Sequence, residues 1–151
     1  KLMNEQEIHH LLYDIPENVD YTDIPQELDL EDVSKERVDK LRDLLHSDDL
    51  AVRFDAALLL TNWGVEDGLN TLIDLFEKGE TKGFIPHHLH PYDDTNKHIL
   101  DALIGYWASQ TDLHKEQEAR KRIYPTIISI IKQAVHSSYS IAQIGFLIKK
   151  I

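Results

Sequence analysis

Three histidines and two carboxylates fall within eight residues in the segment Pro86-His87-His88-Leu89-His90-Pro91-Tyr92-Asp93-Asp94. Imidazole nitrogens and carboxylate oxygens ligate divalent transition metals, so the segment offers a ligand set that His98 could join from the sequence that follows. Pro86 and Pro91 work against that chemistry, because each fixes its own backbone and hinders folding around a shared centre. The competing use is contact with a partner, for which His and Tyr provide adaptable area. A long irregular stretch between helices is also more often functional than filler. Partner contact is the reading adopted, with no metal ligand and no cofactor expected. Contacts made through these histidines would depend on pH, since imidazole charges as the solution turns acidic.

Other reactive patterns are missing. The chain has no cysteine, which removes thiol nucleophiles, zinc thiolates and disulfides together. It has no glycine-rich phosphate loop, no Gly-x-Ser-x-Gly elbow and no His-Glu-x-x-His helix, so the usual frames for phosphoryl transfer, serine hydrolysis and zinc proteolysis are lacking. The carboxylate pairs Asp48-Asp49 and Asp93-Asp94 stand where helices should begin and read as caps. The expectation is a binding protein rather than an enzyme.

Charge is unevenly placed along the 151 residues. Residues 1–34 carry ten acids against Lys1 alone, a net charge of −9, whereas residues 35–151 carry 17 acids against 15 bases, a net charge of −2. A field of that sign repels nucleic acid and anionic membranes and steers basic proteins. It also confers solubility, which is the plainer reading. Apolar runs such as Ala56 to Leu60 are far shorter than the ~20 residues a membrane span needs. The N-terminus lacks the basic-then-apolar layout of a secretory signal, and Met3 reads as the natural start. A cytoplasmic protein is expected.

Helical periodicity accounts for most of the chain. Asn4 is placed to cap a helix carrying Ile8, Leu11 and Leu12, which Ile15-Pro16 stops. From Pro16 to Val33 the pattern is neither helical nor strand-like, and it holds seven acids. That stretch must pack through Val19, Tyr21, Ile24 and Leu28 or remain mobile. Helices are then predicted over Ser34–His46, Leu50–Trp63, Glu66–Lys78 and Thr95–Ser109. A further helical segment runs from about Leu113 to Val135, where Pro125 either starts a helix or kinks a longer one. A last helix after Ser137-Ser138 carries Ile141, Ile144, Ile148 and Ile151. Nothing alternates with period two, so no sheet is expected.

Taken in pairs, these helices form a series in which no pair can bury its apolar face alone, the sign of a solenoid. Leu44-Leu45-x-Ser47-Asp48-Asp49-x-x-Val52-Arg53-x-x-Ala56-Ala57-x-Leu59, followed by Gly64 and Leu69, closely resembles a HEAT repeat. In the second pair, Leu100-Asp101-Ala102-Leu103 echoes Phe54-Asp55-Ala56-Ala57; the third pair keeps only helix lengths. The resemblance implies an all-α, α-α superhelix (a HEAT/armadillo-like solenoid) of about three helix pairs plus an N-terminal helix. It implies one domain, with residues 1–33 as an acidic helix and extended segment and 34–151 as helical repeats. HEAT-like hydroxylases carry His-Glu pairs and HEAT-like DNA glycosylases carry basic faces; this sequence has neither.

A narrower resemblance runs through Ser47-Asp48-Asp49 and Ala56-Ala57-Leu58-Leu59-Leu60-Thr61-Asn62-Trp63-Gly64-x-x-Asp67-Gly68-Leu69. It is similar to small acidic immunity proteins of contact-dependent growth inhibition and related polymorphic toxin systems. This implies binding to a cognate toxin, often a nuclease such as an RNase or DNase, and occlusion of its active site or substrate path; the acidity of this chain adds the expectation that the toxin is basic. The residues expected at such an interface are Asp20, Tyr21 and Asp23 of the acidic segment, Asp55, Asn62 and Asp101 of the second helices, and His87, His88, His90, Tyr92, Asp93 and Asp94. A HEAT-repeat adaptor within a larger assembly is the alternative, and a metal-binding protein a more distant one.

Overall fold

Side chains that accept from free backbone N–H groups fix where three helices begin. In the computed structural model, which describes residues 2–85 and 94–134, Asn4 accepts from the Glu7 N–H at 2.7 Å and opens α1, Glu5–Tyr13. Ser34 accepts from the Arg37 N–H at 3.2 Å ahead of α2, Lys35–Leu44. Asp49 takes the N–H groups of Ala51 and Val52 at 3.0 and 3.4 Å ahead of α3, Leu50–Asn62. Then follow α4, Glu66–Glu77, α5, Thr95–Asp112, and α6, Glu116–Ala134. Two short 3-10 turns, Pro25–Glu27 and Leu30–Asp32, lie between α1 and α2. Among the described residues there is no strand, and no helix is long and apolar enough to cross a membrane. The helix expected after Ser137-Ser138 lies outside them.

Three helices end in the same device, a left-handed residue whose N–H and the next one return to carbonyls of the last turn. For α3 the residue is Gly64, with Gly64 N–H to Thr61 at 3.0 Å and Val65 N–H to Leu60 at 2.9 Å. For α4 it is Gly79, with bonds to Phe76 and from Glu80 to Leu75, both at 3.0 Å. For α5 it is His114, at φ 57°, with bonds to Thr111 at 3.0 Å and from Lys115 to Gln110 at 2.9 Å. Because a histidine can hold this geometry, α5 runs on to Asp112, beyond the expected end at Ser109.

Packing follows chain order, giving an all-α, superhelix-like stack. α1 packs on α2, α2 on α3, α3 on both α4 and α5, and α6 on α5 and α4. α3 is therefore covered on several sides, which is why Ala56 to Leu60 and Thr61 are buried without a break rather than on one stripe. Thr61 is tolerated there because its hydroxyl donates to the Ala57 carbonyl at 2.6 Å. Gly68 lets α4 close on α3: a Cβ there would run into the Leu60 side chain and meet the Thr61 nitrogen at 3.0 Å. After α4, Phe84 stacks on Phe54 of α3 with centroids 4.9 Å apart. Ile85 then donates to Thr95 Oγ1 at 2.9 Å and accepts from the Asp94 N–H at 2.7 Å. The two ends of the His-rich segment are thus tied together against the core.

Pro125 sits inside α6, so the longer helix, not a fresh start, is what forms. The proline leaves the Lys121 carbonyl without its helical donor. Lys121 and Pro125 both lie on the exposed side, where water can replace the lost bond.

Gly64→Ala should destabilise the fold by roughly 2 kcal/mol or more, since a left-handed backbone is costly for alanine and its Cβ would collide with Ser109. His114→Gly should stabilise it by about 1 kcal/mol by relieving the same backbone cost. Urea melts of both variants measure the two effects, and the opposite signs are the expected result.

Candidate partner-binding surface

The acidic segment between α1 and α2 is held by hydrogen bonds of its own. The Tyr21 hydroxyl donates to Asp32 Oδ2 at 2.8 Å and accepts from the Asp29 N–H at 2.9 Å. The Thr22 hydroxyl donates to Glu27 Oε1 at 2.8 Å and accepts from the Ile24 N–H at 3.0 Å. Leu28 and Val33 are buried, and Ile15 and Val19 pack on the core from its edge. Tyr21 and Ile24, two of the four residues through which the segment was to pack if it did not remain mobile, are exposed, and Tyr21 is also one of the residues expected at the interface. The hydroxyl of Tyr21 needs polar partners, and it finds them in the segment itself, at the solvent side.

Trp63 and Arg37 fasten this segment to the helices. The Trp63 indole, 2% exposed, donates to the Pro25 carbonyl at 2.9 Å. Above its ring, 5.3 Å from the centroid, lies the Arg37 guanidinium. Arg37 Nε in turn donates to the Leu11 carbonyl at 2.9 Å, one of the last carbonyls of α1, which have no helical donor. Burial pushes the Arg37 pKa down, with nearby Asp14 acting in the opposite direction.

The carboxylates of the segment find no ion-pair partner among the described residues. Elsewhere some bases are matched to acids: Lys35 to Asp39 at 2.9 Å, Arg42 to Asp67 at 3.0 Å, Lys78 to Asp74 at 3.0 Å, and Lys40 to Glu36 and Glu7 at 3.3 and 3.4 Å. No ion pair among the described residues reaches a carboxylate of residues 16–34. Asp20 and Asp23 are exposed and make no side-chain hydrogen bond to a described residue. Asp29, Glu31 and Asp32 each place a carboxylate oxygen within 4.8 Å of the others. Asp29 and Glu31 are exposed and Asp32 already accepts from Tyr21, so the three form an open acidic edge rather than a cage.

The other expected interface residues are placed differently. Asp55 of α3 is half-buried and has no ion pair or hydrogen-bonded side chain among the described residues. Burial raises its pKa, and Asp49 adds to the shift. Asp101 of α5 also has a raised pKa, from desolvation, opposed by His98 and Lys97. Asn62 turns its amide back to the Leu58 carbonyl at 2.9 Å and lies against Gly105 where α5 crosses, so much of it is engaged within the fold. Asp94 occupies the N-cap position of α5 without a side-chain capping bond. His87, His88, His90, Tyr92 and Asp93 lie outside the described residues.

No family model matches this chain, and no curated protein or solved structure is significantly similar to it. Two residues that matter to the surface escape a reading of the sequence. Arg37 looks like one more charged position on an amphipathic helix, and its link to Trp63 spans 26 positions. Leu30 looks like a buried apolar residue, yet it is 42% exposed.

Asp55→Asn should raise stability at pH 7 by about 0.5 kcal/mol. A folded carboxyl whose pKa is raised contributes stability that is fully present below the unfolded value and lost as pH rises through the folded one. The gap between variant and parent should therefore be absent at acidic pH and open as pH rises above the ordinary carboxylate range. Chemical melts across pH provide the measurement.

Proposed function

We propose that this chain is a HEAT-like immunity protein that captures a basic toxin domain, a nuclease in the leading version, and blocks its active site or substrate path in the cytoplasm. The observation that supports this reading most is the acidic segment of residues 16–34. Its carboxylates form no ion pair among the described residues, while the hydrogen bonds of Tyr21 and Thr22 and the Trp63 anchor hold their backbone in place. Like charges gathered without counter-charges cost stability in isolation, and a basic partner relieves that cost. Asp55 and Asp101 extend the acidity onto α3 and α5, where burial disfavours their charged forms.

The mechanism is steered encounter followed by steric occlusion. It requires no catalytic group on this chain, only a rigid surface complementary to the toxin.

Two experiments test the reading. The first is co-expression with the toxin-bearing reading frame expected immediately upstream of the gene, which should abolish growth arrest and yield a stable complex. Growth arrest undiminished by co-expression would sink the proposal. The second is stopped-flow association, where the on-rate should fall about tenfold or more between low and high salt. Charge reversal at Asp20, Asp23, Asp93 and Asp94 should reproduce that fall without added salt, and a rate indifferent to both would remove steering from the mechanism.

A further inference from the structure

The acidic segment also displays apolar side chains. Tyr21 is 50% exposed, Ile24 46% and Leu30 42%, whereas Leu28 and Val33 are buried. The Tyr21 ring is fixed at its hydroxyl by Asp32 and by the Asp29 backbone, which sets it one residue from Leu30. The backbone of Ile24 is held through its N–H to Thr22 Oγ1, that of Leu30 through its carbonyl to the Val33 N–H, and Ile24 precedes Pro25, whose carbonyl Trp63 holds. Apolar side chains on a backbone already held in place cost less ordering when covered, which favours a binding hot spot. The carboxylates of Asp20, Asp23, Glu31 and Asp29 stand between and around them along the chain, without ion pairs to described residues.

We infer that Tyr21, Ile24 and Leu30, within this carboxylate rim, form the recognition surface for a basic segment that carries apolar side chains between its cations. The inference rests on the partner-binding reading above and gives the partner its chemistry. A purely cationic surface would satisfy the rim and leave the three apolar groups wet. A purely apolar one would desolvate carboxylates without pairing them, which is strongly unfavourable. Only a segment bearing both kinds of group covers the apolar side chains and neutralises the rim at once.

Two synthetic peptides of equal length and charge, one built from Lys and Leu and one from Lys and Gln, probe this with the intact protein. Titration calorimetry should show the Lys/Leu peptide binding about tenfold or more tightly than the Lys/Gln peptide, from the apolar area it buries. The double variant Ile24→Ser with Leu30→Ser should bring the two affinities to within about twofold of each other, with Lys/Gln binding unchanged. Both side chains are nearly half exposed, so the variant is expected to fold, and circular dichroism checks it. Methyl resonances of Ile24 and Leu30 in the unaltered protein should shift with the Lys/Leu peptide, a readout independent of the variant. Equal affinity for the two peptides, an affinity ratio that survives the double variant in folded form, or unshifted Ile24 and Leu30 methyls overturns the inference. None of these outcomes touches the toxin co-expression result, so loss of the apolar surface and loss of the immunity reading are told apart.

Discussion

The Trp63 indole, buried at the end of α3 and donating to the Pro25 carbonyl, joins two parts of the molecule that have different needs. On one side lie helices whose apolar faces cover one another. On the other lies a connection with too little apolar content to form a core of its own. A backbone carbonyl beside a buried ring must be paired, and the indole N–H pairs it. Arg37 completes the junction from above, lying over the same ring and closing the frayed end of α1 through the Leu11 carbonyl. One aromatic side chain thus ties the acidic segment to the end of α3 and, through Arg37, to the end of α1, adding to the burial of Leu11, Leu12, Leu28 and Val33 that also holds them.

That junction in turn depends on α3 being rigid. Its run Ala56 to Leu60 is enclosed by α2, α4 and α5, and the two alanines with Gly68 allow α4 to come close. The left-handed turn at Gly64, directly after Trp63, leaves no space for a side chain beside Ser109. The residues that make the first helix pair recognisable in the sequence are therefore those that hold the anchor still. They shape the surface without belonging to it, which is why a resemblance carried by such residues points to a scaffold more readily than to a site.

Local chemistry was legible in the sequence, and long-range chemistry was not. Asn4, Ser34 and Asp49 cap the helices they were expected to cap, because a cap depends on residues only two or three positions away. The end of α5 was harder to place, since His114 does the work of a glycine and histidine carries no such signal. Asp94 shows the opposite case, a residue in the capping position whose side chain does not cap. For the surface, composition revealed the acidity of residues 16–34 but not its order. Tyr21 reads as an apolar residue to be buried until its bonds to Asp29 and Asp32 are seen. Asn62 reads as an exposed polar residue until the crossing of α5 is seen.

The way the acidic segment is held bears on how it responds to its surroundings. Its internal bonds run from hydroxyls to carboxylates and from backbone N–H groups to hydroxyl oxygens, so they leave its net charge untouched. Mutual repulsion among seven carboxylates therefore persists in the free protein, and added salt relieves it over a screening length of about 10 Å at 0.1 M. The same salt weakens attraction to a basic partner. Salt thus steadies the segment while weakening the pull of its carboxylates on any cation, whereas a segment held by internal ion pairs would itself be loosened by salt. The anchor at Trp63 is what permits this separation, because a hydrogen bond from a buried indole is barely sensitive to ions in the solvent. The field of the segment can then vary with ionic conditions while its surface keeps its shape.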